Sequence, residues 1–223
     1  MEKTIVCLAN SRKHAGHCLA GKELDDEDIL DWCRPVSKRD SRELSARDIQ
    51  YKDGSCAEVF DVISFGHKGR SLHPAQEENF VNDEALYWEK CRVFNGDLDD
   101  LLDAPQSLWA NGCSSYNGIN DRVPVELVPK PIQSLYFIAP RDVEIIVRTE
   151  GAEFGDGRKR VRVRFNYNGT IYLLMVTDPR VEAMYLRLAE DSYRPQGQIY
   201  VTVSLGEDWN GFYYKLAAGV FEV

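Results

Sequence analysis

Alternating apolar and polar residues are clearest in the second half of the chain, where they predict a series of strands. Residues 160–165 alternate strictly between arginine and apolar side chains, the period of two expected for a strand with two unlike faces. Asn168 and Gly169 accept the positive φ angles of a two-residue hairpin turn, so the next apolar run forms the returning strand. The predicted strands cover residues 135–138, 143–148, 160–165, 170–176, 199–205 and 212–221, of which the first two form one extended segment interrupted at Pro140.

A short helix is predicted between the third and fourth strands of this barrel-like series. Asp178 is a good N-cap, and Pro179 suits the first helical position. The apolar residues that follow recur at helical spacing, and they are Val181, Met184, Tyr185 and Leu188. The resulting order of three strands, one helix and two strands is that of the OB-fold, a five-stranded Greek-key barrel.

The first half of the chain has fewer regular patterns. A short helix is predicted at residues 83–90, with Leu86 and Tyr87 toward the core, whereas residues 11–31 and 98–122 are predicted to be long irregular connections. Strands are predicted at residues 4–9, 32–36 and 57–65.

A proline-rich stretch marks the expected boundary between two units. Pro124, Pro129 and Pro131 follow one another closely, and each fixes its own backbone, restricts the preceding residue and lacks a backbone donor. We therefore place the first unit at residues 1–129 and the second, barrel-like unit at residues 130–223.

Charge is distributed unequally between these units. The chain has a formal net charge of −9, and all of it falls on residues 1–129, which contain 15 Lys and Arg against 24 Asp and Glu. Residues 130–223 contain 12 of each sign. Long-range repulsion therefore opposes non-specific binding to a polyanion, and any contact with nucleic acid has to come from a local basic surface.

Several classes of protein are disfavoured by the sequence. Neither a signal peptide nor an apolar stretch of about 20 residues is found, so we expect a cytoplasmic protein without membrane contact. The six cysteines include no C-x-x-C pair and are expected to be free thiols. His14, His17 and Cys18 lie close together but lack a second cluster at zinc-finger spacing, so neither a metal nor a cofactor is predicted. Without a G-x-S-x-G or H-E-x-x-H motif, no catalytic residues are assigned and no enzyme activity is expected.

The strongest surface signal is an arginine-rich strand face. If Asn168 and Gly169 form a two-residue turn, the arginines share their face with apolar side chains of the returning strand, a combination that suits single-stranded nucleic acid. Alternatively, this face packs on the first unit and its surplus carboxylates, or it meets a partner protein. The residues on this face are Arg160, Arg162 and Arg164 on one strand and Ile171, Leu173 and Met175 on the other.

Other polar residues are weaker candidates for binding nucleic acid or a nucleotide. Basic side chains near glycines suit a phosphate, and side-chain amides suit a base edge, although both are more often solvated or satisfy buried backbone groups. Lys215, on an apolar strand, either faces solvent or reaches an acceptor such as Asp178 or Glu207. The remaining candidates are Arg12 and Lys13 for phosphate, with Arg34, Gln76 and Asn79 for further polar contacts.

Short strings along nearly the whole chain resemble the dual OB-containing domain family. They are residues 7–13 (CLANSRK), 32–37 (WCRPVS), 76–79 (QEEN), 120–123 (NDRV), 176–179 (VTDP), 204–207 (SLGE) and 214–216 (YKL). That family consists of bacterial proteins with two OB-like units in tandem, associated with defence against phages and other mobile elements. The resemblance implies a mainly β fold with short helices, built as two tandem OB-like β-barrels, and no catalytic residues.

Two hypotheses of function follow. The first is a non-catalytic recognition module of a bacterial defence system that binds single-stranded nucleic acid or a nucleotide. The alternative is an adaptor whose surface meets a defence effector protein. A positive groove with exposed aromatic side chains favours the first, and a flat apolar patch favours the second.

Overall fold

The computed structural model describes residues 1–26, 28–152, 155 and 157–223. The chain forms two compact units, the first made of residues 1–101 with 131–134 and the second of residues 102–130 with 135–223. Residues 102–130 thus pack with the strands that follow them, while the domain boundary after residue 129 stays a prediction. Among the described residues, no helix has the length and apolar character needed to cross a membrane.

The first unit is a closed five-stranded barrel with OB connectivity. β1 is antiparallel to β2 and β4, β2 is antiparallel to β3, β3 is parallel to β5, and β5 is antiparallel to β4. β6 extends the sheet along β4. The strands are β1 (Glu2–Lys13), β2 (Gly16–Asp25), β3 (Asp28–Val36), β4 (Asp61–Arg70), β5 (Asn79–Asn82) and β6 (Glu89–Val93).

The core of the first unit is built from inward-facing residues of every barrel strand and of the β3–β4 connection. Trp88 is one of its largest members, and its Nε1 donates a 2.9 Å hydrogen bond to Asn82 Oδ1, which satisfies the indole. Gly21 of β2 lies against the backbone of β1, where a β-carbon would lie 2.1 Å from the Val6 carbonyl oxygen. The buried cluster comprises Ile5, Cys7, Leu19, Cys33, Leu44, Ile49, Tyr51, Ala57, Ile63, Phe65, Phe80 and Trp88.

Two predictions for the first unit were wrong. The connection predicted at residues 11–31 contains the end of β1, all of β2 and the start of β3, in a stretch where glycines and charged residues hide the strand pattern. The helix predicted at residues 83–90 is a turn followed by β6, and Leu86 and Tyr87 are 52% and 42% exposed. Asp83 Oδ1 accepts from Ala85 N, and Trp88 is drawn into the core, so local turn chemistry and tertiary packing override the helical spacing.

The second unit has the same OB connectivity. β9, β10 and β11 are successive antiparallel neighbours, β11 is parallel to β14, and β13 is antiparallel to β14 and β8. β8 and β9 are the two halves of the first OB strand, interrupted at Pro140 as predicted. The strands are β7 (Arg122–Pro124), β8 (Leu135–Ile138), β9 (Arg141–Glu150), β10 (Arg158–Tyr167), β11 (Thr170–Val176), β12 (Asp191–Tyr193), β13 (Ile199–Trp209) and β14 (Phe212–Glu222).

Two local predictions for the second unit were confirmed, the hairpin turn and the start of the helix, whereas the helix ends at Tyr185, before Leu188 of the predicted apolar stripe. The turn at Asn168 and Gly169 sets the expected register, with Arg162 opposite Met175 and Arg164 opposite Leu173. Helix α1 (Pro179–Tyr185) begins with Pro179, and its N-cap Asp178 accepts a 3.0 Å hydrogen bond from Arg180 N. Val161, Val163 and Phe165 of β10 fill the barrel interior, so the arginines between them face outward.

One segment of the second unit lies between two diverging barrel strands. β11 and β14 pair only at Met175–Leu216 and Val176–Ala217. Beyond that point Ile119 pairs with Leu173 on β11, while β7 pairs with Phe212–Tyr214 on β14. We call residues 105–124 the covering segment, because part of it completes the sheet and the rest lies over it.

Candidate nucleic-acid interface

A groove of about 710 Å³ lies along the start of β9 and the neighbouring parts of β10 and β11. It belongs entirely to the second unit. Three guanidinium groups and two carboxylates line it, which leaves one positive charge in excess. Its lining residues are Pro140, Arg141, Asp142, Val143, Glu144, Arg164, Ile171, Arg194, Pro195, Gly197, Gln198 and Ile199.

Strand pairing explains how these side chains meet. Arg164 of β10 lies opposite Glu144 of β9, and the register shifts immediately beyond this pair. Asp142, at the shift, has a φ of 53°. Such irregularities bend a strand and redirect its side chains. The segment that leads from β12 to β13 supplies Arg194 and Gln198, so the groove combines residues distant in sequence.

Two of the three guanidinium groups of the groove, those of Arg164 and Arg194, lie around the carboxylate of Glu144. Glu144 Oε1 accepts hydrogen bonds of 3.0 Å from Arg194 Nε and 2.7 Å from Arg194 Nη2. Arg164 Nη1 lies 3.7 Å from Glu144 Oε2. The side chain of Arg194 is 80% exposed, whereas that of Glu144 is 18% exposed. Arginine donors suit carboxylate and phosphate oxygens equally well, so this site is chemically suited to an anionic group.

The predicted arginine face is divided rather than continuous. Arg164 lines the groove, Arg160 is half-buried, and Arg162 is only 4% exposed. Arg162 donates to Glu150 from Nε at 2.7 Å and from Nη2 at 3.0 Å, and its Nη1 lies 3.8 Å from Asp121 of the covering segment. Arg162 is therefore not available to an external ligand.

The ion pair with Arg162 lowers the pKa of Glu150. Burial opposes its ionisation, but hydrogen bonds from Arg162 and Arg148 outweigh burial and hold the pKa of Glu150 below its ordinary value. The covering segment adds a further contact, since Arg148 Nη2 donates to the carbonyl oxygen of Asn117 at 2.6 Å. This part of the face is a buried ionic network that joins the covering segment to the sheet.

Arg34, Gln76 and Asn79, predicted separately, come together in the first unit. The parallel pairing of β3 with β5 places Arg34 opposite Asn79. Arg34 Nη2 lies 2.9 Å from both Ser134 Oγ and Glu78 Oε1, and Asn79 Nδ2 donates to Gln76 Oε1 at 3.2 Å. Each of the three predicted residues is at most 4% exposed, so they form a buried polar cluster.

The two basic residues predicted to bind phosphate in the first unit lie at the end of a hairpin rather than in a loop. Arg12 and Lys13 are the last residues of β1, opposite His17 and Gly16 of β2. Arg12 is exposed and Lys13 is half-buried. Their assignment to phosphate binding stays a prediction.

Lys215 is buried, with 1% exposure, and its acceptors differ from those predicted. Its Nζ donates to the carbonyl oxygen of Ala110 at 2.8 Å and to Asn111 Oδ1 at 3.0 Å, rather than to Asp178 or Glu207. Burial lowers the pKa of Lys215 to about 7, although the neighbouring Asp121 and Cys113 partly oppose the change. Lys215 thus holds the covering segment from beneath and does not face the groove.

Three further groove residues and one aromatic residue were missed by the sequence analysis. The groove residues are Arg141, Arg194 and Gln198, which carry no local pattern that distinguishes them. Trp209 is 68% exposed at the end of β13, in the hairpin that joins β13 to β14, the fourth and fifth OB strands. Its position directly before Asn210 and Gly211 is a hairpin signal that predicts an exposed ring near the turn. Tyr172, whose ring could stack on a base only if it were exposed, is fully buried.

Across the described ranges, no group of three or more His, Cys, Asp and Glu side chains is placed to hold a metal ion. A family model described as a dual OB-containing domain matches residues 3–220. No curated protein and no solved structure matches the chain.

Proposed function

The chain belongs to the dual OB-containing domain family, and we propose that its second unit is a non-catalytic module that binds single-stranded nucleic acid. The observation that carries this proposal is the groove that runs over β9, β10 and β11 and the segment before β13. Arg141, Arg164 and Arg194 line it. OB-folds generally bind oligonucleotides over strands 2 and 3 and the adjoining loops. Here those strands are β10 and β11.

Single-stranded ligands need two features that this unit offers. A positive groove tracks the phosphates, and exposed apolar or aromatic side chains contact the bases. Ile171 lines the groove and gives it an apolar side chain for contact with a base. The exposed ring of Trp209 lies outside the groove, because Trp209 ends β13 whereas the groove residue Ile199 begins it. A volume of about 710 Å³ lies within the usual range for a bound small molecule, and we propose that it accommodates one nucleotide of the strand.

The net charge of the chain constrains how tightly such a strand binds. A formal charge of −9 repels a polyanion at long range, so binding depends on the local arginines and weakens steeply with salt. We therefore expect affinity for a short oligonucleotide in the micromolar range at physiological ionic strength, as is typical of weak electrostatic binding.

Fluorescence anisotropy with short labelled DNA and RNA single strands, at about 50 and 200 mM salt, tests the proposal. The test variant is Arg164→Ala with Arg194→Ala. The matched control removes two exposed arginines outside the groove, Arg92→Ala with Arg187→Ala. Arg162 is left unchanged because its replacement would disrupt a buried ion pair.

We expect the groove variant to bind roughly tenfold more weakly and to lose about two units of salt slope, one for each phosphate contact. The control variant should retain both the affinity and the slope. The proposal fails if wild-type protein shows no binding at micromolar concentration, or if the two variants lose affinity equally. In that event a free nucleotide ligand or an adaptor role for an effector protein becomes the next hypothesis.

We further propose that this binding serves bacterial defence in the cytoplasm, in keeping with the associations of the family. Plaque assays test this role in cells that express the wild-type chain or the Arg164→Ala, Arg194→Ala variant. Protection against phage that depends on the two arginines supports it. Equal plaque numbers with wild type, variant and empty vector contradict it.

A further inference from the structure

Glu144 occupies an unusual position in the groove, because it is an anion inside a surface suited to bind anions. Its carboxylate accepts two hydrogen bonds from Arg194 and lies within ion-pair distance of Arg164. It extends from β9, and its side chain is 18% exposed at the floor of an open groove. The position of this carboxylate therefore marks where the two guanidinium groups converge.

We propose that Arg164 and Arg194 form an anion site that Glu144 occupies in the free protein and that a phosphate group of the bound strand takes over. This inference rests on the proposed nucleic-acid function and specifies the contact that the groove makes. Phosphate and carboxylate both accept paired donors from a guanidinium group, so one can replace the other without rebuilding the site.

The geometry allows this exchange at low cost. Arg194 is 80% exposed, which limits the contribution of its ion pair with the 18% exposed side chain of Glu144 to stability. Arg164 lies 3.7 Å from Glu144, which is too long for a good hydrogen bond, so its Nη1 is only weakly engaged by the carboxylate. A phosphate at this position could accept a hydrogen bond from Arg164 that the carboxylate lacks, in addition to the paired donors of Arg194.

Glu144 and the ligand phosphate cannot share the site without like-charge repulsion. Glu144 is therefore an internal competitor, and it selects for ligands that offer enough contacts elsewhere to displace it. Removing its charge should strengthen binding by roughly two- to fivefold, the range expected when an exposed ion pair no longer has to be broken.

Asp142 provides a matched control for this effect. It is the other carboxylate that lines the groove, and in the described part of the chain it forms no ion pair with Arg141, Arg164 or Arg194. Asp142→Asn removes the same charge as Glu144→Gln, and asparagine tolerates the φ of 53° at this position. Equal gains in the two variants would indicate a general change in groove charge and would overturn the proposal.

The experiment measures the affinity of wild type, Glu144→Gln and Asp142→Asn for a short single strand, with and without a 5′-phosphate. We expect a roughly two- to fivefold gain for Glu144→Gln and little change for Asp142→Asn. A gain with both oligonucleotides supports a phosphodiester as the competing group, and a gain only with the phosphorylated one supports a terminal phosphate. If the wild type binds the strand and Glu144→Gln binds it no more tightly, the inference is overturned and the proposed function still stands. If none of the proteins binds the strand, the proposed function itself is overturned.

A double-mutant comparison distinguishes direct competition from a long-range effect of charge. If Glu144 acts by occupying Arg194, the gain from Glu144→Gln should shrink in an Arg194→Gln background. A gain of the same size in both backgrounds would contradict the proposal. Thermal unfolding of each variant checks that the fold is retained. We expect it to be, because Glu144→Gln is nearly isosteric and Arg194→Gln changes a side chain that is 80% exposed.

Discussion

The two OB units share a connectivity but stabilise their buried cations in different ways. In the first unit Arg34 of β3 is 3% exposed and pairs with the carboxylate of Glu78. In the second unit Lys215 of β14 is 1% exposed and donates to the neutral oxygens of Ala110 and Asn111. Arginine keeps its charge at any accessible pH, whereas a buried lysine readily loses its proton. Arg34 therefore forms a permanent ion pair, as Arg162 does with Glu150 in the second unit, whereas Lys215 is a buried cation whose pKa burial lowers to about 7.

Both cations serve a similar architectural purpose despite this difference. Arg34 donates to Ser134, which lies outside the barrel strands of the first unit. Lys215 donates to the covering segment, which precedes the barrel strands of the second unit. Each thus connects a non-barrel segment to the interior of its unit, and the identity of the cation, arginine or lysine, decides whether that connection responds to pH.

The largest effect is expected from breaking the ion pair of the first unit. Arg34→Met leaves Glu78 buried without its cation, and we expect a loss of about 3–5 kcal/mol in the free energy of unfolding. Denaturant unfolding measures the loss, and hydrogen exchange of β3 and β5 localises it. The double variant Arg34→Met, Glu78→Met should recover part of the stability, because no charge then remains unpaired. A loss below about 1 kcal/mol in the single variant would show that the pair contributes little.

A second large difference is expected between two arginines of the same strand. Arg162 pairs with Glu150 in the interior of the network, and Arg164 lies in the open groove. Arg162→Met should cost about 2–3 kcal/mol of stability, since Arg148 still contacts Glu150, while Arg164→Met should cost less than about 1 kcal/mol. Chemical denaturation of both variants tests this order. Equal losses would contradict the division of β10 into a structural and a binding part.

The pH dependence of the free energy of unfolding distinguishes Lys215 from Arg34. The folded protein lowers the pKa of Lys215 to about 7, whereas an unfolded lysine stays protonated to about 10.4. Between these values the unfolded state binds the extra proton, so Lys215 makes the free energy of unfolding rise with pH, by at most about 1.4 kcal/mol per pH unit. Lys215→Met should remove this rise between pH 7 and 8.5, and Lys130→Met, at an exposed position, should not.

Denaturant unfolding across that pH range provides the measurement, read as the difference between wild type and variant. Burial raises the pKa of Cys33 to about 12, so at higher pH this thiol acts in the opposite direction and both proteins share its effect. An unchanged slope in Lys215→Met would mean that Lys215 stays charged in the folded state.

The contrast between the units also explains what the sequence could predict. The strands of the second barrel could be predicted because β10 alternates strictly and an Asn-Gly turn fixes its register with β11. In the first unit, glycines and charged residues interrupt β2, and its place in the barrel depends on pairing with distant strands. Local patterns identify an element only where they are not outweighed by such tertiary contacts.

The candidate site was predictable only in part, for a related reason. Alternation along β10 identified Arg164 and the outward direction of its side chain. Alternation alone could not distinguish Arg164 from Arg162, because the burial of Arg162 depends on Glu150 and Asp121, which lie on other elements. Arg194 reaches the groove from a segment that no periodic pattern relates to β10. Long-range register, rather than local composition, decides which arginines face solvent.

The smallest of the expected effects concerns the connection between OB strands 3 and 4, which the units build differently. The second unit uses α1, capped by Asp178, whereas the first uses an irregular connection in which Asp48 accepts hydrogen bonds from Ser45 and Arg39. Asp178→Ala removes a helix cap and should cost about 1 kcal/mol of unfolding free energy. Asp178→Asn, which keeps a capping oxygen, should recover most of this loss. Thermal unfolding of the two variants measures the difference, and an equal loss in both would mean that the Asp178–Arg180 ion pair, rather than the cap, stabilises this connection.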